Sequence, residues 1–479
     1  MKQHVQRTLA LYIVLMLAPS TALNAAEPAS ITKPAKPNII VILAEDLGYG
    51  DLGCFGQKTL KTPRLDAMTK EGMRLSQFYA GNSLSAPSRC TLLTGKHTGR
   101  AVVRGDTALP SMIPPDQAAV ASLLKGAGYA TACIGKWGVG TPDKLTNPND
   151  VGFEHFFGCV NAWHARNPYP EFLIRNGKVV PLKNEVGAEW KKWQDPKLPQ
   201  GGQAVAVKKA EYAPDLLVDD AIRFIRENEK KSFFLLLALN APQAKGENEG
   251  IDVPELGEFA ANDWPRPEKA FAAMVRNIDR DTGRILDLLK ELKLDQNTLV
   301  IFTSANGPNP ESGHRPEFFQ STGKYRGVKG DPHEGGIRVP TIAWWPGTVS
   351  PGSEDTLQWY AGDLMATAAE LSGATLPAGC DSDSLLPALR GQSGDDKWRR
   401  KSPLYWESYQ GGTWQVVRFG KWKAIRSPIF SGEILLFDMS NDHAEKHNYA
   451  IRRPDLARHA NYLLIKNHQP DPNWKKPMP

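Results

Sequence analysis

Cysteine is scarce in this chain. Its 479 residues carry five, Cys54, Cys90, Cys133, Cys159 and Cys380, with no CxxC pair and no histidine partners at zinc-binding spacing. That excludes a zinc knuckle and a disulfide-framework domain, and the odd number leaves at least one thiol unpaired. A dominant charge is missing too. Fifty-eight Lys+Arg against 52 Asp+Glu give +6, and setting aside the first 26 residues with Lys2 and Arg7 leaves 56 against 52, or +4. Such a balance is too slight to argue for a nucleic-acid partner. No apolar run reaches membrane length, and no cysteine follows the leader as a lipid attachment point.

What is present begins with an export signal. Residues 1–26 have the basic start Lys2 and Arg7, a short apolar run from Leu9 to Leu17, and small residues for cleavage at Leu23-Asn24-Ala25-Ala26. The expected product is soluble, in a periplasm or outside the cell, with no membrane segment once the signal is removed. Residues 27–37 read as a Pro/Ala/Ser/Lys tether. From Asn38 onward, buried-type apolar runs alternate with helical patterns. The runs are Asn38 to Ala44, Tyr129 to Gly135, Ser232 to Leu239, Thr298 to Ser304 and Val339 to Trp344. The helical patterns are Gln117 to Lys125, Pro214 to Glu229, Pro267 to Lys293 and Asp363 to Ser372. This alternation predicts an α/β domain over 38–390: a mostly parallel central sheet flanked by helices, with ligands outside the carboxyl ends of the strands. After about Gly391 the rhythm shifts to short alternating strands with tight turns and then a helix from Pro454 to about Asn467. Residues 391–479 are therefore expected to form a small antiparallel subdomain with a terminal helix.

The most telling stretch is Ser85-Ala-Pro87-Ser-Arg89-Cys-Thr-Leu92-Leu93-Thr-Gly95. Pro87 suits the first turn of a helix and Gly95 its end. The free N–H groups and positive dipole end then face Ser85, and Arg89, one turn on, can return to the same spot. Taken alone, a Ser/Pro helix start followed by arginine is more often an ordinary helix start with a solvated arginine. The whole span, however, resembles the signature of the sulfatase family. There a Cys or Ser, any residue, Pro, a small residue and Arg precede a leucine and a glycine at these spacings. The resemblance implies an alkaline-phosphatase-like fold and oxidation of Ser85 to formylglycine, whose hydrate attacks sulfur. For serine, that conversion requires a radical maturase.

Further motifs in the family's order extend the resemblance from Asn38 to about Asn473. Two adjacent carboxylates, Glu45 and Asp46, leave the first strand in Ala44-Glu-Asp-Leu-Gly-Tyr-Gly-Asp51; by themselves they read equally as a hard-cation site or a solvated turn. Sulfatases carry two aspartates there as calcium ligands, so Glu45 is one methylene longer. Ala305-Asn306-Gly307 stands where the family has Asp-Asn-Gly, and Ala305 cannot coordinate a metal. The resemblance thus implies a weakened Ca2+ site of Glu45, Asp46 and Asn306. Lys136 matches the lysine that contacts formylglycine and sulfate, and Gly138 stands where many sulfatases have histidine. Lys329, in Gly327-Val-Lys329-Gly-Asp-Pro-His-Glu334, matches the sulfate-binding lysine, although a loop lysine is otherwise expected to be solvated. Gln243 replaces the histidine that binds the ester oxygen and helps its departure; it can donate a hydrogen bond but transfers no proton. His164, in Trp163-His-Ala-Arg166, is either a substrate contact or a surface histidine, with Arg166 replacing a second histidine. Trp137, Trp163, Trp190 and Trp193 are either sugar-stacking or core residues.

Three functions follow. The first is a sulfuric-ester hydrolase acting on a sulfated carbohydrate or aryl sulfate, with Ser85, Arg89, Lys136 and Lys329 catalytic. The second is an inactive relative that binds sulfated glycan, and the third a phosphoryl-ester hydrolase of the same superfamily. No His/Asp two-metal cluster supports the third. The changes at Glu45, Gln243 and Ala305 favour weakened or lost turnover. Substrate choice would lie in loops such as Asn161 to Pro199 and Lys245 to Trp264.

Overall fold

The computed structural model describes residues 36–105, 113–114, 117–139, 147–187, 205–243, 251–392, 400, 402–410 and 412–474. The signal, nearly all of the tether, Trp190, Trp193 and parts of both specificity loops lie outside the described residues. The strands are β1 Asn38–Ala44, β2 Met73–Tyr79, β3 Ala130–Lys136, β4 His155–Cys159, β5 Phe172–Arg175, β6 Lys178–Pro181, β7 Glu185–Val186, β8 Ala206–Lys208, β9 Phe233–Ala238, β10 Thr298–Ser304, β11 Ile342–Trp344, β12 Ser353–Tyr360, β13 Leu404–Ser408, β14 Trp414–Phe419, β15 Trp422–Arg426 and β16 Ile434–Asp438. The helices are α1 Pro63–Glu71, α2 Ser85–Thr94, α3 Val120–Gly126, α4 Ala213–Glu227, α5 Arg266–Glu291, α6 Glu334–Ile337, α7 Asp363–Ser372, α8 Leu386–Leu389 and α9 Pro454–Lys466.

Ten strands form the central sheet in the order β12-β2-β11-β10-β1-β9-β3-β4-β5-β6. Only β11 and β5 run against the rest, so the sheet is mostly parallel, as the alternation predicts. The central strand β1 shows why its sequence has no polar phase. Ile39, Val41 and Leu43 enter a core with Cys90, Leu92 and Leu93 of α2, Leu124 of α3 and Met365 of α7. Ile40, Ile42 and Ala44 enter a second core with Met68 of α1, Val218 of α4 and Ile278 of α5. A strand covered on both faces needs apolar residues at every position.

The antiparallel sheet β13-β14-β15-β16 follows. One of its faces joins Tyr79, Ile337 and Tyr360 of the main fold through Trp406 and Trp414. The other is covered by Leu463 and Leu464 of α9. All five cysteines are free, and among the described residues no helix is long and apolar enough to cross a membrane.

Candidate functional site at the carboxyl ends of the parallel strands

Neighbouring strands β10, β1, β9 and β3 run in one direction, so their carboxyl ends deliver Asn306, Glu45 and Asp46, Gln243, and Lys136 to one edge of the sheet. Backbone bonds fix the splay of these ends: Glu45 N–H donates to Ala241 O at 3.0 Å and Ala305 N–H to Ala44 O at 2.9 Å. Asp46 adopts a left-handed backbone, φ 62°, a conformation Asp tolerates and one that recurs at functional turns.

Helix α2 starts at Ser85, is buried along its whole length, and ends at Gly95 with φ 67°. Arg89 spans the site from it. Its Nε donates to Ser85 Oγ at 3.4 Å, one terminal nitrogen to Lys136 O at 2.7 Å, and the other to Glu45 Oε2 at 2.6 Å. Lys136 Nζ donates to Glu45 Oε1 at 2.9 Å and to Gln243 Oε1 at 3.3 Å. Gly138 makes room for this pair. Its φ is 67°, and a Cβ there would come within 3.1 Å of Lys136 Cε and 3.2 Å of Arg89 Cδ, so a side chain would be both strained and crowded.

Asp46 forms the other half of the cluster. Its Oδ1 accepts from Lys329 Nζ and from Asn306 Nδ2, each at 2.8 Å, and its Oδ2 accepts from Asn309 Nδ2 at 3.0 Å. Lys329 rides on a loop tied to three places. Its N–H donates to Pro308 O at 2.9 Å, Gly330 N–H to Ser83 O at 3.0 Å, and Trp414 Nε1 to Gly330 O at 3.0 Å. Lys329 is thus held against Asp46 rather than solvated.

Burial alone would raise the Glu45 pKa, but Lys136, Arg89, Lys329 and a hydrogen bond from Ser85 hold it far below the usual carboxylate range. Burial pulls the Lys136 pKa down, with Glu45 opposing. Glu45 is therefore a fixed anion, and no proton acceptor for Ser85 at neutral pH.

Hydrogen bonds bring Ser85, Arg89, Lys136, Gln243, Glu45, Asp46, Asn306 and Lys329 together; His164 is placed apart from these bonds. It is fully buried on a short turn, its ring 4.6 Å from that of Phe172, and burial pushes its pKa down to about 4. That burial rules out the surface-histidine alternative, and among the described residues no hydrogen bond or ion pair links the ring to the Glu45 cluster. Trp137 is buried in the core against Phe153 and so is no sugar platform. Trp163 is 47% exposed, with the Arg166 guanidinium 4.5 Å from its ring centre and Arg166 3.7 Å from Glu311. Asn309 and Trp414 are missed by sequence reasoning. An asparagine five residues beyond a strand end and a tryptophan in a distant sheet carry no local signal of what they touch.

Calcium requires six to eight oxygens, with enough negative charge among them. Every carboxylate oxygen of Glu45 and Asp46 already accepts from a cation or an amide. The Ala305 side chain is only a methyl, and among the described residues the buried Asn306 Oδ1 is an amide oxygen without a partner. Among the described residues no group of three or more His, Cys, Asp or Glu side chains could hold a metal. The residues present do not fit the ion. Ser85 does fit a residue that is modified in place: its Oγ lies at the helix start with Arg89 Nε beside it.

Comparison with known proteins agrees with this architecture. Residues 37–374 match the family model described as Sulfatase. The steryl-sulfatase of Mus musculus is 33% identical over 465 residues, covering 84% of this chain and 72% of that protein. The N-acetylgalactosamine-6-O-sulfatase of Bacteroides thetaiotaomicron is 30% identical over 502 residues, covering 90% and 92%. Among solved structures, Ps i-CgsB in complex with k-i-k-neocarrahexaose superposes with a TM-score of 0.74 at 27% identity, covering 91% of this chain and 94% of that one.

Proposed function

The chain belongs to the sulfatase family, and on that premise we propose that the Ser85 pocket takes a sulfate monoester on a carbohydrate or aryl group, with turnover weakened or lost. The observation that carries the reading is the convergence of three cations from three separate segments, Arg89, Lys136 and Lys329, on one buried cluster beside Ser85. Fixed cations around a helix start suit the oxygens of a sulfate group. The named substrates of relatives, N-acetylgalactosamine 6-sulfate among them, support a sulfated sugar as ligand. The leader at residues 1–26 would place the encounter in a periplasm or outside the cell.

A formylglycine at Ser85 would supply the oxygen nucleophile for sulfur. The chain's own residues would orient the ester: Arg89 and Lys136 neutralise its oxygens, and Lys329 approaches from the opposite loop. Gln243, hydrogen-bonded to Lys136, can hold the ester oxygen but delivers no proton to a departing alcohol. Losing one preorganised or proton-transferring group costs about 10² to 10³ in rate.

Mass spectrometry of the Ser85 peptide from the native host, together with sulfate release from p-nitrocatechol sulfate, tests both halves. The expected result is retention of a sulfated sugar with slow or no release. A peptide lacking two hydrogens, accompanied by rapid release, would overturn the loss of turnover. No retention of any sulfated ligand would overturn the pocket assignment.

A further inference from the structure

We infer that this pocket binds its anion without calcium, because internal ion pairs occupy the carboxylates that would otherwise hold the metal. The statement deepens the sulfate-ester reading above, and rests on it only for the identity of the ligand.

Glu45 divides its two oxygens between Lys136 at 2.9 Å and Arg89 at 2.6 Å. Asp46 gives one oxygen to Lys329 and Asn306 and the other to Asn309. A divalent ion at coordinating distance from these oxygens would sit about one atom's width from an ammonium and a guanidinium, a like-charge arrangement that a buried site screens poorly. Asn306 turns its amide donor to Asp46, which is the orientation of a residue serving an anion, not a metal. Among the described residues, the buried Asn306 Oδ1 is an oxygen that remains open to a cation.

The charges also balance without the ion. Among the described residues the ion pairs of this cluster set Arg89, Lys136 and Lys329 against Glu45 and Asp46, three bases to two acids, a composition that suits a singly charged sulfate ester. The missing carboxylate at Ala305 and the missing metal therefore compensate: a further acid without calcium would cancel the excess, and calcium without a further acid would crowd three cations. Lys329 and Asn309 hold the left-handed Asp46 turn in place, a task that in a metal site falls to the ion.

The test titrates calcium chloride into chelator-treated full chain by calorimetry, records Tm in EDTA and in excess calcium, and measures N-acetylgalactosamine 6-sulfate binding in both. No calcium binding tighter than about 1 mM, the weak end of calcium modules, is expected, with an unchanged Tm and a sugar affinity equal within about twofold. Calcium uptake tighter than about 1 mM, or a sugar affinity raised tenfold or more by calcium, overturns the inference and leaves the pocket assignment standing. Absence of sugar binding in both conditions sinks the pocket assignment, and the calcium titration still decides the inference. The double variant Glu45→Asp, Ala305→Asp should gain calcium binding and a calcium-dependent rise in Tm. If it folds and still ignores calcium, the missing carboxylate is not the cause and the inference falls; if it does not fold, the titration of the unaltered chain decides alone.

Discussion

Two of the buried charge clusters in this molecule are alike in dryness and different in composition. In the pocket, Arg89, Lys136 and Lys329 contact Glu45 and Asp46. At the joint with the second sheet, Lys423 of β15 bridges Glu334 at 3.1 Å and Glu445 at 2.9 Å, and Arg338 reaches Glu334 at 3.2 Å. Tyr79 donates to the same Glu334, and Glu334 N–H donates to Glu445. In ion pairs among the described residues, then, the joint sets two acids against two bases and the pocket two acids against three bases. A matched set between sheets is a clamp, whereas a set richer in bases at the carboxyl ends of parallel strands suits an anionic ligand.

The comparison breaks first at Lys423. The Lys423→Met variant leaves Glu334 and Glu445 facing each other with both side chains fully buried, so a loss of about 3–5 kcal/mol in denaturant unfolding is expected. Burial would raise the Glu334 pKa, but Lys423, Arg338 and Arg418 hold it at about 2 against an ordinary value of 4.5. A depressed carboxyl pKa stabilises the fold above 4.5, and that contribution is lost as pH falls from 4.5 to about 2. Tm of the unaltered chain should fall across that window, and the variant should show a shallower fall there. A loss in the variant below about 1 kcal/mol, the range of an exposed pair, would remove the distinction between clamp and pocket.

The second test lies in the pocket. Lys136→Met leaves Glu45 still paired with Arg89, so stability should fall less than at Lys423, while sulfate-ester affinity drops about ten- to a hundredfold for one charged hydrogen bond. Calorimetric titration with N-acetylgalactosamine 6-sulfate reads the affinity. A variant that loses as much stability as Lys423→Met yet binds unchanged would make Lys136 a second clamp.

The pocket half of this contrast was legible in the sequence and the clamp half was not. β1 and β10 stand at their expected bounds because a strand buried on both faces writes itself as an unbroken apolar run. Ser85, Arg89 and Lys136 were legible through motif order, and Gln243 and Ala305 as departures from it. Strands β2 and β12 were not legible: Arg74 and Gln77 in the one, and Glu354 and Gln358 in the other, interrupt their apolar runs, being residues at or near the sheet edge with one side toward solvent. Glu334 and Lys423 gave no signal either, since a buried ion pair between positions 89 residues apart leaves no local pattern. His164 was left between two readings and proved buried, because burial depends on Phe172 and a turn that sequence spacing does not specify.

Trp414 offers the smallest and sharpest test, since it belongs to the clamp's sheet and touches the pocket's loop. Its ring fills the joint core with Tyr79 and Ile337, while Nε1 donates to Gly330 O beside Lys329. Trp414→Phe keeps most of the apolar contact and removes that donor, worth about 1 kcal/mol as a neutral hydrogen bond. If the second sheet merely covers the first, that change should register only as a small fall in Tm. If it also positions Lys329, sulfate-ester affinity should fall about fivefold at most, and most of that fall should vanish in a Lys329→Met background, where no ammonium remains to be positioned. Equal fractional losses with and without Lys329 would place Trp414 wholly on the structural side of the comparison.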